Sequence, residues 1–162
     1  MGHVPALRTV IDSPVGPLAL AADGDALIEI TFHAVEPAAD PDLPLAPVLA
    51  EACSQLRAYF ARDLTTFSLP LAPHGTPFQL TVWSALRQIP YGETRSYREL
   101  AASIGRPAAV RAVGAANGRN PIPIVIPCHR VIGSDGRLVG FGGGLDVKQK
   151  LLDLEDPWCL FD

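Results

Sequence analysis

The chain of 162 residues holds no run of about 18 apolar residues, the shortest that spans a bilayer as a helix, so no membrane segment is expected. Its first residues lack a basic stretch followed by an apolar one, and nothing there reads as a secretory signal. Cysteine is scarce. Cys53, Cys128 and Cys159 are odd in number and widely spaced, which argues against a disulfide framework and for a reducing compartment, the cytoplasm by default. His3, His33 and His74 stand apart and give Cys53 no partners at ligand spacing, so no metal is expected. What is present suffices for a core: 48% of residues are hydrophobic and 19% charged, far from a disordered composition.

Basic residues are nearly missing from positions 1–74, where Arg8, Arg57 and Arg62 face nine acids for a net −6. Residues 75–150 carry eight Arg and two Lys against Glu93, Glu99, Asp135 and Asp146, a net +6, and residues 151–162 carry four acids and no base. The overall −4 therefore conceals a basic middle on which a polyanion would dock.

Turn chemistry divides the first part. Ser13-Pro14-Val15-Gly16 and Asp23-Gly24-Asp25 bracket a candidate strand at Leu18–Ala22, and Leu27–Phe32 follows with the β-branched content of a second. Residues 34–47, rich in Pro, Ala and Asp, read as an acidic loop. Leu49, Cys53, Leu56 and Phe60 recur at helical spacing, which places Cys53 in a core, and Phe67–Leu71 offers one more strand.

Beyond Pro73-His74-Gly75 the texture turns helical. Thr76 with Gln79 forms a capping box with Pro77 at the first helical position, and Phe78, Val82, Leu86 and Ile89 share one face. Ser96 with Glu99 forms a second box, opening a helix with Tyr97, Leu100, Ala101 and Ile104 on one side and Gly105 at its end. Pro107 opens a third helix, Ala108 to about Ala116, and a last one runs from about Asp146 with Val147, Leu151 and Leu154 as its buried stripe. The expected fold is α/β (α+β): a small sheet-and-helix subdomain over residues 1–75, then a mainly helical domain over 76–162 with a helix-turn-helix. The second helix of that pair lacks side chains long enough to read a major groove. Ala109, Ala112, Gly114 and Ala115 instead allow close approach, and Arg111 stands alone among them.

After the apolar segment Ile122-Pro123-Ile124-Val125-Ile126 comes Pro127-Cys128-His129-Arg130-Val131. A lone cysteine is usually a small buried hydrophobe. One followed by an imidazole and then a guanidinium has what thiolate chemistry needs, a base or a positive charge.

Several ordered elements together resemble the O6-alkylguanine-DNA alkyltransferase family: Tyr91-Gly92-Glu93-Thr94 with Ser96-Tyr97, Arg111-Ala112-Val113-Gly114, Asn120-Pro121, Pro127 to Val131, and Gly142-Gly143-Gly144-Leu145. The resemblance covers residues 76–155 and implies direct-reversal DNA repair without a cofactor. An alkyl group passes irreversibly from O6-alkylguanine in duplex DNA, with O4-alkylthymine as a second candidate, to Cys128 of a monomer acting once. It implies His129 as base acting through a water, Glu155 as its orienting partner and Asn120 as a brace for the active-site turn. The damaged nucleotide must leave the stack to react. The resemblance puts Arg111 in the gap, on a helix in the minor groove whose Ala112 and Gly114 permit the approach. It places Tyr97, Phe141, Gly142 and the carbonyls of Cys128 and Val131 around the base, and Arg98, Arg106 and Ser134 by the DNA backbone. Position 141 is Phe where the family often has Tyr, and 142 is Gly where Ser or Ala is common. The base oxygen is thus left with only the backbone N–H of Gly142, and room is left for bulkier adducts.

Three rival readings fit less well. A binding-only relative would lack Cys128, a sequence-specific regulator would carry long polar side chains on its second helix, and a Cys–His hydrolase would need an oxyanion site.

Overall fold

Gly16 and Gly24 take left-handed backbone angles, φ 96° and 59°, that L side chains resist, and they close the turns of the first sheet. β1 (Arg8–Ile11), β2 (Leu18–Asp23) and β3 (Ala26–Phe32) pair antiparallel in that order, with Leu20 opposite both Thr9 and Ile30. The computed structural model describes residues 7–37, 42 and 44–156. These divide between Pro73 and His74 into two compact units.

In the first unit, α1 (Pro47–Phe60) buries Leu49, Ala52, Cys53 and Leu56 as the spacing predicts, with Tyr59 rather than Phe60 innermost. Two expectations differ. β1 is an additional strand, four residues too short to show a period. The strand expected at Phe67–Leu71 is absent; Leu71 makes only an isolated parallel bridge to Leu27. Pro70 and Pro73 have no N–H to extend the ladder, which stops at Leu27 N–H to the Pro70 carbonyl and Ala72 N–H to the Leu27 carbonyl, each 2.9 Å.

In the second unit both capping boxes form. Thr76 opens α2 (Pro77–Leu86), and Ser96 opens α3 (Tyr97–Ser103), each accepting from the backbone N–H three residues on. α4 (Val110–Gly118) starts later than Pro107 suggested, because Pro107 and Ala108 lie in the preceding turn and Ala109 is its N-cap. Trp83 locks α2 to α4: it is buried, and its indole N–H donates to the Ala116 carbonyl at 2.8 Å. A short parallel pair, β4 (Arg95–Ser96) with β5 (Val131–Ile132), fixes the start of α3 beside the segment that follows Cys128. The last described element is α5 (Leu145–Glu155), whose inward side holds Val147, Lys148, Leu151 and Glu155, so its stripe is part charged and Leu154 only half-buried. Among the described residues no helix is long and apolar enough to cross a membrane.

Candidate active site

The approach to Cys128 is a tight buried hook. Ile122 through Arg130 are all buried, and the Ile126 N–H donates back to the Ile122 carbonyl at 2.9 Å. The hook forces Ile124 to φ 74°, a conformation that a β-branched residue holds only when its surroundings impose it. Asn120 does much of the imposing. Its amide N–H donates to the Ile126 carbonyl at 2.7 Å and its oxygen accepts from Ile122 N–H at 3.0 Å, stapling both ends. The chain then enters a single 3-10 turn, Cys128–Arg130.

That turn aims three side chains inward. His129 is fully buried, and its Nε2 lies 2.6 Å from Glu155 Oε2 at the end of α5. Arg130 grips the same carboxylate, Nε to Oε1 at 2.7 Å and Nη2 to Oε2 at 3.0 Å, while its Nη1 donates to the Ile89 carbonyl at 2.7 Å. Its guanidinium lies 5.8 Å from the centre of the Tyr91 ring, and the Tyr91 hydroxyl donates to the Leu154 carbonyl at 3.2 Å. Gly92 N–H adds a long contact to Glu155 Oε1 at 3.4 Å.

The electrostatics follow from burial against pairing. Burial alone would push the Glu155 carboxyl up, but hydrogen bonds and charge from His129 and Arg130 reverse this and hold it at about 2. Burial lowers His129, with Arg130 and Lys148 adding to the effect and Glu155 opposing it. At neutral pH His129 is therefore a neutral imidazole beside an ionised carboxylate, and its charge acts on Glu155 only in acid, once the imidazole has protonated. Its Nε2–H donates to Glu155, which leaves Nδ1 as the basic nitrogen, and that atom is buried without a hydrogen-bond partner among the described residues. Burial pushes the Cys128 thiol up to about 11, against a hydrogen bond from Asn120 and the charge of Lys148. At neutral pH the thiol keeps its proton and needs a base to lose it.

Lys148 was invisible in the sequence as anything but a surface charge. It is fully buried, and its ammonium donates to the Val131 carbonyl at 2.6 Å and the Val139 carbonyl at 3.0 Å. One signal for it existed: it stands seven residues before Glu155 on the face that also carries Leu151. Asn117 was missed for the same reason, since polar residues are read as exposed; Arg130 was read as a charge for the thiol, and the structure places it on Glu155 instead. Asn117 is buried, and its amide reaches the Cys128 carbonyl at a long 3.5 Å. The Cys128 carbonyl also accepts from the Val131 N–H that closes the turn, and the Val131 carbonyl accepts from Lys148.

Of the residues expected around a base, Tyr97, Phe141 and Gly142 line one cavity of about 490 Å³, with Val110, Gly114, Gly118, Val139 and Gly140. The Tyr97 hydroxyl crosses it to donate to the Val139 carbonyl at 3.2 Å. Buried Val131 and Cys128 lie outside that lining. A larger cavity of about 840 Å³ between α2 and α3 holds none of the expected site residues. Arg98, Arg106, Arg111, Ala112 and Ser134 are all exposed, Arg111 and Ala112 on α4 and Arg98 on α3.

A strained hook presenting a buried thiol, a histidine–carboxylate pair behind it and a small-residue helix beside a cavity define a thiol-dependent site attached to a helix-turn-helix. Residues 77–157 match the family described as 6-O-methylguanine DNA methyltransferase, DNA binding domain, and residues 6–73 match its ribonuclease-like domain. The chain belongs to this 6-O-methylguanine DNA methyltransferase family. It is 53% identical over 151 residues to a methylated-DNA–protein-cysteine methyltransferase of Methanosarcina barkeri, covering 91% of this chain and 95% of that one. The Mycobacterium leprae protein of the same name is 54% identical over 147 residues, covering 90% and 89%. Among solved structures, the Mycobacterium tuberculosis OGT in complex with DNA superposes with a TM-score of 0.81 at 50% identity, covering 96% of this chain and 99% of that one.

Proposed function

We propose that this protein repairs alkylated duplex DNA by moving the alkyl group of O6-alkylguanine onto Cys128, once per molecule. One observation carries the reading: the Glu155-held tautomer of His129 leaves a buried, basic Nδ1 on the residue next to a thiol that cannot ionise unaided. His129 takes the thiol proton through a water. The sulfur attacks the alkyl carbon, an S–C bond forms, and the C–O6 bond breaks with its electron pair going to oxygen. The base gains one proton and becomes guanine, which balances the proton lost by the thiol. A thioether is a poor leaving group, so the protein does not turn over.

The lesion is flipped from the stack into the cavity beside Tyr97, Phe141 and Gly142, and α4 enters the minor groove. The exposed Arg111 fills the gap, Ala112 and Gly114 permit close approach, and Arg98, Arg106 and Ser134 hold the backbone. The relatives' names and the solved DNA complex of the Mycobacterium tuberculosis protein support a DNA substrate. The protein acts as a cytoplasmic monomer, and residues 76–162 carry the chemistry.

Incubation with duplex DNA containing O6-methylguanine, followed by peptide mass spectrometry, tests this. One methyl on Cys128 and at most one lesion repaired per molecule are expected. Methyl on Cys53, or repair beyond stoichiometry, would refute it.

A further inference from the structure

Among the described residues, two buried side-chain atoms lack a hydrogen-bond partner: His129 Nδ1 and Asn117 Oδ1. Both belong to residues joined to the acceptor turn. His129 is the second residue of that turn, and Asn117, on the inward face of α4, reaches the Cys128 carbonyl through its amide nitrogen at 3.5 Å. This contact fixes which way the amide points. A carbonyl can be met only by the N–H side, so the oxygen is the atom left over. Both orphan atoms are acceptors, Nδ1 because the ring's one proton goes to Glu155 from Nε2. Buried acceptors without donors are costly, and an explanation is a water that supplies them. An apolar residue at position 117 would avoid that cost, as Val113 and Ala116 do on the same face. Other groups around the thiol stabilise its charged form, Asn120 by a hydrogen bond and Lys148 by its charge, but neither can accept its proton.

We propose that Asn117 is a positioning residue for the proton transfer: together with His129 Nδ1 it holds the water that takes the Cys128 proton. A buried water has about three polar partners. This one donates one O–H to Nδ1 and the other to Asn117 Oδ1, which leaves its lone pairs for the thiol S–H. In the step, the thiol proton passes to the water oxygen as the water's own proton passes to Nδ1. Water is regenerated, the sulfur is left as thiolate, and the new imidazolium is paired with Glu155. Asn117 gains and loses no proton. By occupying the second O–H it keeps a lone pair turned towards sulfur. Without it, the water is free to turn that O–H towards the sulfur, where it cannot accept the proton.

The inference deepens the alkyl-transfer reading of Cys128, and iodoacetamide, which needs the thiolate but no alkylated base, lets the two fail separately. Asn117→Leu keeps a similar size and removes the oxygen. At pH 7 the variant should react with iodoacetamide and with free O6-benzylguanine on the order of 10-fold more slowly, a part of what a general base supplies. The deficit should close as pH rises towards the thiol's own value of about 11, where ionisation needs no base. Tyr97 from α3 and Lys148 from α5 also face the thiol, but they are common to both proteins and cancel in the ratio of rates. A deficit that stays constant at every pH marks a merely structural role and overturns the proposal. So does a loss confined to benzylguanine, which would assign the Asn117 oxygen to the base instead. Should the Leu variant not fold, a crystal structure of the wild-type protein that shows ordered water decides. A water within hydrogen-bond distance of both Nδ1 and Oδ1 supports the proposal, and its absence there sinks it. A wild-type protein that reacts with iodoacetamide but takes no benzyl group defeats the alkyl-transfer reading, while the iodoacetamide profile still decides the role of Asn117.

Discussion

Glu155 works at the scale of single groups, where one carboxylate serves two buried partners. Its depressed value, about 2 against an ordinary 4.5, contributes stability that is complete above pH 4.5 and is lost as pH falls towards 2. His129, lowered from 6.5, acts with the same sign: folding favours its neutral form, so its contribution is complete above 6.5 and is lost as pH falls through its folded value. Glu155→Gln should remove the first window and keep the second. At pH 7 it should also cost about 3–5 kcal/mol, because Arg130 is left as a buried charge without its anion. Urea denaturation of both proteins at pH 7 and pH 3 measures this, with the difference between them shrinking at pH 3. Cys128 and His129 were legible because they adjoin in sequence. Glu155 lies 26 residues from His129, and only the family resemblance picked it out. Lys148 and Asn117 were illegible, as was the carboxylate partner of Arg130, because nothing in a sequence tells which polar side chains turn inward.

Helices were read most easily where side chains write their own boundaries. Thr76–Gln79 and Ser96–Glu99 announced α2 and α3, and both boxes formed with hydrogen bonds of 2.9–3.1 Å. α4 was harder, since its start is set by a turn rather than a capping side chain. β1 and the strand expected at Phe67–Leu71 failed for the complementary reason: short strands are decided by their partners. The functional logic of α4 lies in its two faces. Val113, Ala116 and Asn117 face the core, while Arg111, Ala112 and Ala115 are exposed. Arg111→Ala should therefore leave stability within about 0.5 kcal/mol of wild type. Repair of O6-methylguanine in duplex should slow far more than reaction with free O6-benzylguanine, because only the duplex requires extrusion. Single-turnover rates on the two substrates give the comparison, and an equal loss on both would remove Arg111 from the extrusion step.

Charge belongs to the whole chain. The +6 of residues 75–150 overstates what DNA can meet, because Arg130 and Lys148 spend their charge internally and are buried. Arg95 and Arg137 pair with Glu93 and Asp135. Of the other six, all exposed, Arg87 ends α2 and Lys150 lies on α5, while Arg98, Arg106, Arg111 and Arg119 lie on or next to the helix-turn-helix. If the four arginines on or next to the helix-turn-helix neutralise phosphates, the logarithm of the DNA binding constant should fall with the logarithm of salt at a slope of about −3.6. Arg106→Ala should make that slope shallower by about 0.9 whatever the DNA sequence, since a phosphate contact carries no base preference. Fluorescence anisotropy on two unrelated duplexes between 50 and 200 mM salt, about the range over which such slopes are read, distinguishes this from a groove reader. A protein that chose its sites by base contacts would show different affinities for the two duplexes. One that searches for a lesion, with small residues against the minor groove and arginines on the backbone, must bind both alike and leave discrimination to the pocket behind Tyr97.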